Sequence, residues 1–156
     1  MEDAIRLMLD LELMTKIEMY GYTMVGVFDP EGNDPGFVYT IGLTERGWPE
    51  VIMIGNIHPM IAEQFLADMI AKWGKAEKVI MGDNLDVIQF QDRSVHPIRV
   101  IDVNQNKAAE NYAIQAKRFY PEHNVKYVQA LIPDRFGRFP DEPEYDQSKQ
   151  AQPIIK

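Results

Sequence analysis

The chain contains no cysteine. Disulfides, thiolate zinc sites, iron–sulfur clusters and cysteine nucleophiles are therefore excluded. Basic residues are in deficit: 16 Lys and Arg stand against 24 Asp and Glu, a formal net charge of −8. General nucleic-acid binding is not expected, because it depends on Lys and Arg neutralising phosphates. No apolar run approaches the roughly 20 residues of a bilayer span. The sequence starts Met1-Glu2-Asp3, without the basic and apolar pattern of a secretory signal. A cytoplasmic protein with no membrane partner is expected. No Gly-x-Gly-x-x-Gly follows a strand-like run and no Gly-Lys-Ser/Thr loop occurs, so a doubly wound nucleotide fold is a poor match. The three histidines, His58, His96 and His123, fit no zinc spacing, and no metal is expected.

What is present is an ordinary globular composition, 46% hydrophobic over 156 residues. It predicts a single domain over 1–143 followed by a mobile tail over 144–156. Ile5, Met8, Leu9, Leu13, Ile17 and Tyr20 fall close to helical spacing, with Leu7, Leu11 and Met14 widening the apolar face. A helix over 3–20 follows, with Met8, Met14 and Met19 as core or packing residues and Gly21 as its stop. Residues 22–28 and 37–43 read as strands around a loop dense in Asp, Gly and Pro. Val51, Ile52, Met53 and Ile54 suit a central strand buried on both faces. Ile61, Ala62, Phe65, Leu66, Met69, Ile70 and Trp73 form the clearest helical stripe, opened by Pro59 and stopped at Gly74. Strand-like runs recur at 87–90, 98–103 and 125–132, with a third helix over 107–120 between the last two. The expected class is α+β: a mainly antiparallel sheet, or a partly closed split-barrel-like one, covered by about three helices.

Two stretches are more distinctive than their composition requires. One is Gly36-Phe37-Val38-Tyr39-Thr40-Ile41-Gly42-Leu43-Thr44, followed by Trp48-Pro49-Glu50 and the apolar Val51-Ile52-Met53-Ile54-Gly55. The other is Val128-Gln129-Ala130-Leu131-Ile132-Pro133-Asp134-Arg135-Phe136-Gly137-Arg138-Phe139-Pro140. In order and spacing they resemble the bacterial and phage family catalogued as domain of unknown function 4262, over roughly residues 20–143. Two positions depart from that pattern. Ile132 stands where members often carry Trp, and Asp141 where many carry another Trp. The resemblance implies a shared fold and supplies no activity.

Candidate site residues come from these stretches. Tyr39 and Ile41 should share one strand face with Thr40 on the other, and a strand glycine at Gly42 allows close approach of a backbone or a ligand. Thr40 and the Gly42 backbone are candidates to hold a phosphate or carbonyl. His58 precedes a helix and either caps it or helps bind an anion there. Arg135 and Arg138 flank Gly137, and guanidinium groups match phosphate and carboxylate geometry. The competing structural reading has Asp134 capping a turn, Arg138 pairing with an acid and Phe139 plugging the sheet. Glu45 and Glu50 around Trp48 are the remaining acid–base candidates. Together these point to a small-ligand-binding module for an anionic nucleotide or flavin-like ligand, using Tyr39, Thr40, Gly42, His58, Arg135 and Arg138. The alternatives are an interaction or inhibitor protein acting on a basic protein partner, and a hydrolase using Glu50 or His58 as base.

Overall fold

Helical and alternating apolar patterns sort into one open sheet with helices on both faces. The computed structural model describes residues 2–89 and 91–156. Phe90, the end of the expected 87–90 run, lies outside the described residues. The described elements are α1 (Glu2–Tyr20), β1 (Thr23–Val27), β2 (Phe37–Ile41), β3 (Glu50–Ile54), α2 (Pro59–Ala76), β4 (Gly82–Gln89), β5 (Val95–Asp102), α3 (Gln105–Lys107), α4 (Ile114–Phe119) and β6 (Tyr127–Leu131). Among the described residues the six strands form one sheet in the order β1-β2-β3-β6-β5-β4. Every neighbouring pair is antiparallel except β3 and β6, which run parallel with Glu50 beside Tyr127. The fold is therefore α+β, and the sheet is open rather than a partly closed barrel.

The β1–β2 connection shows why its turn-rich composition matters. The Asp29 carboxylate accepts the backbone N–H groups of Glu31, Asn33 and Asp34 at 2.9–3.1 Å, closing the loop on itself. β3 lies centrally and all five of its residues are buried. The period-two alternation of the strands feeds two cores. Val38, Val51, Met53, Val100, Val128 and Ala130 pack against Leu66, Met69, Ile70 and Trp73 of α2. Tyr39, Ile41, Ile52, Ile54 and Tyr127 pack on the other face with Ile17, Ala108, Ala113, Ala116 and Tyr120.

Four expectations need correction. α2 does not stop at Gly74 but runs to Ala76, because Glu77 takes the left-handed conformation (φ 58°) and closes the helix through its N–H. The third helix is broken. A π-turn over Ala108–Tyr112 ends with the Ala113 N–H on the Ala108 carbonyl, and Ala113 leaves helical geometry (ψ 54°). The expected third helix is thus present in pieces, Gln105–Lys107 and Ile114–Phe119 on either side of the π-turn. Met8, Met14 and Met19 are exposed, and of α1 only Ile17 is buried. The segment 144–156, expected to be mobile, is docked. The Gln129 side chain donates to the Pro153 carbonyl and accepts the Ile155 N–H, and Gln152 is fully buried against the Ile132 backbone. Two buried glutamines thereby extend hydrogen bonding beyond the sheet's own ladder. Among the described residues no helix is long and apolar enough to cross a membrane.

Candidate functional site

The two distinctive stretches fall at opposite ends of the sheet. β3 and β6 start together at Glu50 and Tyr127 and run in the same direction. The turn after β2 therefore lies at their beginning, and the 133–140 loop follows their far end.

At the first end, the chain leaves β2 through Gly42, whose φ is 124°. A Cβ there would stand 2.7 Å from the Tyr22 Cα, so glycine is required by the approach of another backbone. The turn folds over the carboxylate of Glu50, which is fully buried. One Glu50 oxygen accepts the Thr40 hydroxyl at 2.8 Å and the Leu43 N–H at 3.2 Å. The other accepts the Gly42 and Thr44 N–H groups at 3.2 and 3.0 Å and the Thr44 hydroxyl. Thr40 in turn accepts the Val51 N–H at 2.9 Å. Burial pushes the Glu50 carboxyl above its ordinary range, and the Thr44, Thr40 and Gly42 donors pull against that shift. Five donors meet a group with about four lone-pair positions. Glu50 thus has neither solvent contact nor a free acceptor site with which to act as a base.

Tyr127 and Tyr120 both feel the charge of this carboxylate. The Tyr127 hydroxyl is buried without a hydrogen-bond partner among the described residues, and burial followed by the Glu50 charge pushes its phenol up to about 12. The Tyr120 hydroxyl donates to Glu45 at 2.6 Å, and burial together with that bond raises its phenol. Tyr39 is buried, and its hydroxyl accepts the Gln115 N–H at 3.3 Å. A groove of about 400 Å³ beside this end is lined by Thr44, Trp48, Pro49, Gln105 and Lys126. Its Gln105 side chain is already committed to the Tyr127 backbone, accepting the N–H at 2.8 Å and donating to the carbonyl at 2.9 Å.

The other end is built from charges. Arg99 in β5 reaches Asp83 at 2.7 Å, Asp141 at 2.8 Å and Glu142 at 3.2 Å, with its guanidinium 4.0 Å above the Phe139 ring. The hydrogen bond to Asp83 is the largest cause holding Arg99 protonated beyond its ordinary range. Phe139 is buried, and its N–H donates to Glu142 at 2.8 Å. Asp134 closes the loop. Its carboxylate accepts the Phe136 and Arg138 N–H groups, each at 2.9 Å, and pairs with the Arg138 Nε at 2.8 Å. Burial pushes the Asp134 carboxyl up, but the Arg138 N–H and guanidinium outweigh it and hold the group low. Arg135 and Arg138 both stack on Phe136, each 4.8 Å from its centroid, and Phe136 is 65% exposed. Among the described residues Arg135 forms no ion pair. A Cβ on Gly137 (φ 80°) would stand 3.9 Å from the His96 ring, which places that histidine beside the loop.

The sequence-derived candidates are therefore divided. Thr40 and Gly42 belong to the Glu50 network, and Tyr39 lies in the core on the opposite face from Thr40. His58 caps α2, its ring Nδ1 accepting the Met60 N–H at 3.2 Å. Arg135 and Arg138 share one loop and are not brought to the others. Each element of the structural reading of that loop is present: the Asp134 turn, the Arg138–acid pair and the buried Phe139. Arg99 and Tyr127 were missed. Arg99 sits in a strand-like run, where only the lone cation among apolar neighbours marks it. Nothing in the local sequence marks the Tyr127 hydroxyl.

A family model described as Domain of unknown function (DUF4262) matches residues 16–146. Neither the curated proteins nor the solved structures contain a match.

Proposed function

We propose, for a chain that belongs to the Domain of unknown function (DUF4262) family, that it is a binding module for a small anionic ligand held at the Arg135–Phe136–Arg138 loop. The carrying observation is the stack of two guanidiniums on one exposed phenyl ring, at the tip of a loop that Asp134 locks. Arg138 commits its Nε to Asp134 and keeps the terminal edge of its fork; Arg135 carries no ion pair among the described residues. Preorganised forks of this kind suit a phosphate or carboxylate. On a chain of net charge −8, an unneutralised cation is a local attractor for anions. Phe136 is already stacked with guanidinium, so the phosphate of a nucleotide or of FMN is the part recognised, and its ring adds little.

The test is calorimetric titration of the full chain with pyrophosphate, AMP and FMN at low salt. All three should bind, with affinities within about tenfold of one another. Arg135→Gln, which breaks no ion pair, should abolish the heat while leaving the melting temperature unchanged. Equal binding by wild type and Arg135→Gln would rule out this loop as the site.

A further inference from the structure

The helix α1 is apolar on two sides and buries almost nothing of itself. Ile5, Leu9 and Leu13 follow one i, i+4 ridge, which faces a groove of about 580 Å³ shared with Arg118, Phe119 and Pro121 beside α4. Leu7, Leu11 and Met14 form a second ridge on the far side. Ile5 and Leu9 are more than half exposed. A helix with apolar residues on both sides is normally covered. This ridge lies ahead of the matched residues 16–146.

We infer that α1 pairs with α1 of a second copy of this chain, antiparallel and centred on Leu9, each helix lying in the other's groove. In an antiparallel pair, residues whose numbers share a constant sum face one another. Centring on Leu9 sets Ile5 against the second copy's Leu13. It also sets Glu2 against Lys16 and Arg6 against Glu12. Both polar pairs flank the groove-facing ridge, since all four residues line that groove. Acid thus meets base at both of these pairs, while Asp10, which also lines the groove, faces the second copy's Met8. A parallel pair would set each charge against itself. Pairing through the far ridge would bring Asp3 and Glu18 to the seam without a base beside them. Charge therefore selects one ridge, one orientation and one register. The interface is isologous, as a two-fold dimer requires. Twelve residues line the groove, against roughly 20–30 a side in a standard interface, so the dimer is weak and concentration-dependent.

Sedimentation velocity on the full chain from about 1 μM to about 1 mM at low salt tests this. Wild type should pass from monomer to dimer within that range. Leu9→Glu, which sets two carboxylates at the centre, should weaken the dimer about a hundredfold. Leu11→Glu on the far ridge should leave it unchanged. Arg6→Glu and Glu12→Arg should each weaken it about tenfold, and the double variant should recover it. All these positions are exposed, and circular dichroism would verify that the fold persists. A wild type that stays monomeric at the highest concentration overturns the inference. So does a dimer broken by Leu11→Glu and not by Leu9→Glu, or a double variant that fails to recover.

Discussion

The two ends of the sheet use charge in opposite ways. At the Glu50 end a single carboxylate is fully buried, and neutral donors alone hydrogen-bond to it. At the Arg99 end charge meets charge near the surface, and two guanidinium groups extend beyond the loop they help build. Both ends are made from the motif stretches that carry the family resemblance. The first turns its polar groups inward to fix a strand connection. The second fixes its loop with Asp134 and still presents cationic edges to solvent. One motif stretch therefore spends its polar groups on architecture while the other leaves cationic edges exposed, and only the donor and acceptor partners distinguish them.

The sharpest way to break the inward end is Gly42→Ala. The new Cβ meets the Tyr22 backbone at 2.7 Å in a conformation that disfavours side chains, and the loss of stability should be about 4 kcal/mol. Chemical denaturation checks this, and a loss below about 1 kcal/mol would show that the turn relaxes freely. Glu50→Gln comes next, at about 3 kcal/mol, because an amide nitrogen would face donors instead of accepting from them. Its pH dependence carries a sign. The Glu50 carboxyl titrates above its ordinary value in the folded state. Its contribution is therefore fully present below the ordinary carboxylate value and is lost as pH rises through the raised one. The stability difference between wild type and Glu50→Gln should grow as pH is lowered through that window; a difference that shrinks would mean the carboxyl is held low.

At the outward end, Arg99→Ala removes one cation from three carboxylates and from the Phe139 ring, and should cost about 2 kcal/mol. Arg99→Lys should recover only part of this, since an ammonium cannot reproduce the fork. Equal stability of Arg99→Lys and wild type would reduce the hub to a point charge. The smallest effect, and the one opposite in sign, belongs to Tyr127→Phe. Removing a buried hydroxyl that has no partner among the described residues should stabilise the fold by about 1 kcal/mol. A destabilised Tyr127→Phe would reveal a partner for that hydroxyl.

The sequence exposed the local parts of this design. The Ile61–Trp73 stripe, the Tyr39–Ile41 alternation and the wholly apolar β3 can each be read from neighbours a few residues away, because local periodicity reflects which face is buried. The parallel pairing of β3 with β6 spans more than 70 residues and leaves no local trace. Glu50 read as an acid–base candidate, since its burial depends on five donors that only the folded turn assembles. Gln129 and Gln152 read as polar, and the Pro-rich segment that they hold read as mobile. The acid–arginine pairing around the 133–140 loop was legible as one alternative. Arg99, which fastens that loop from β5, was not, because its partners come from two other segments.

The contrast between the ends is tested most directly by mapping pyrophosphate onto the protein by two-dimensional amide NMR. Shifts that saturate at Phe136, Gly137 and Arg138, with the Gly42, Leu43 and Thr44 amides unmoved, are the expected result. Shifts confined to Gly42, Leu43 and Thr44, or none at either end, would contradict the account.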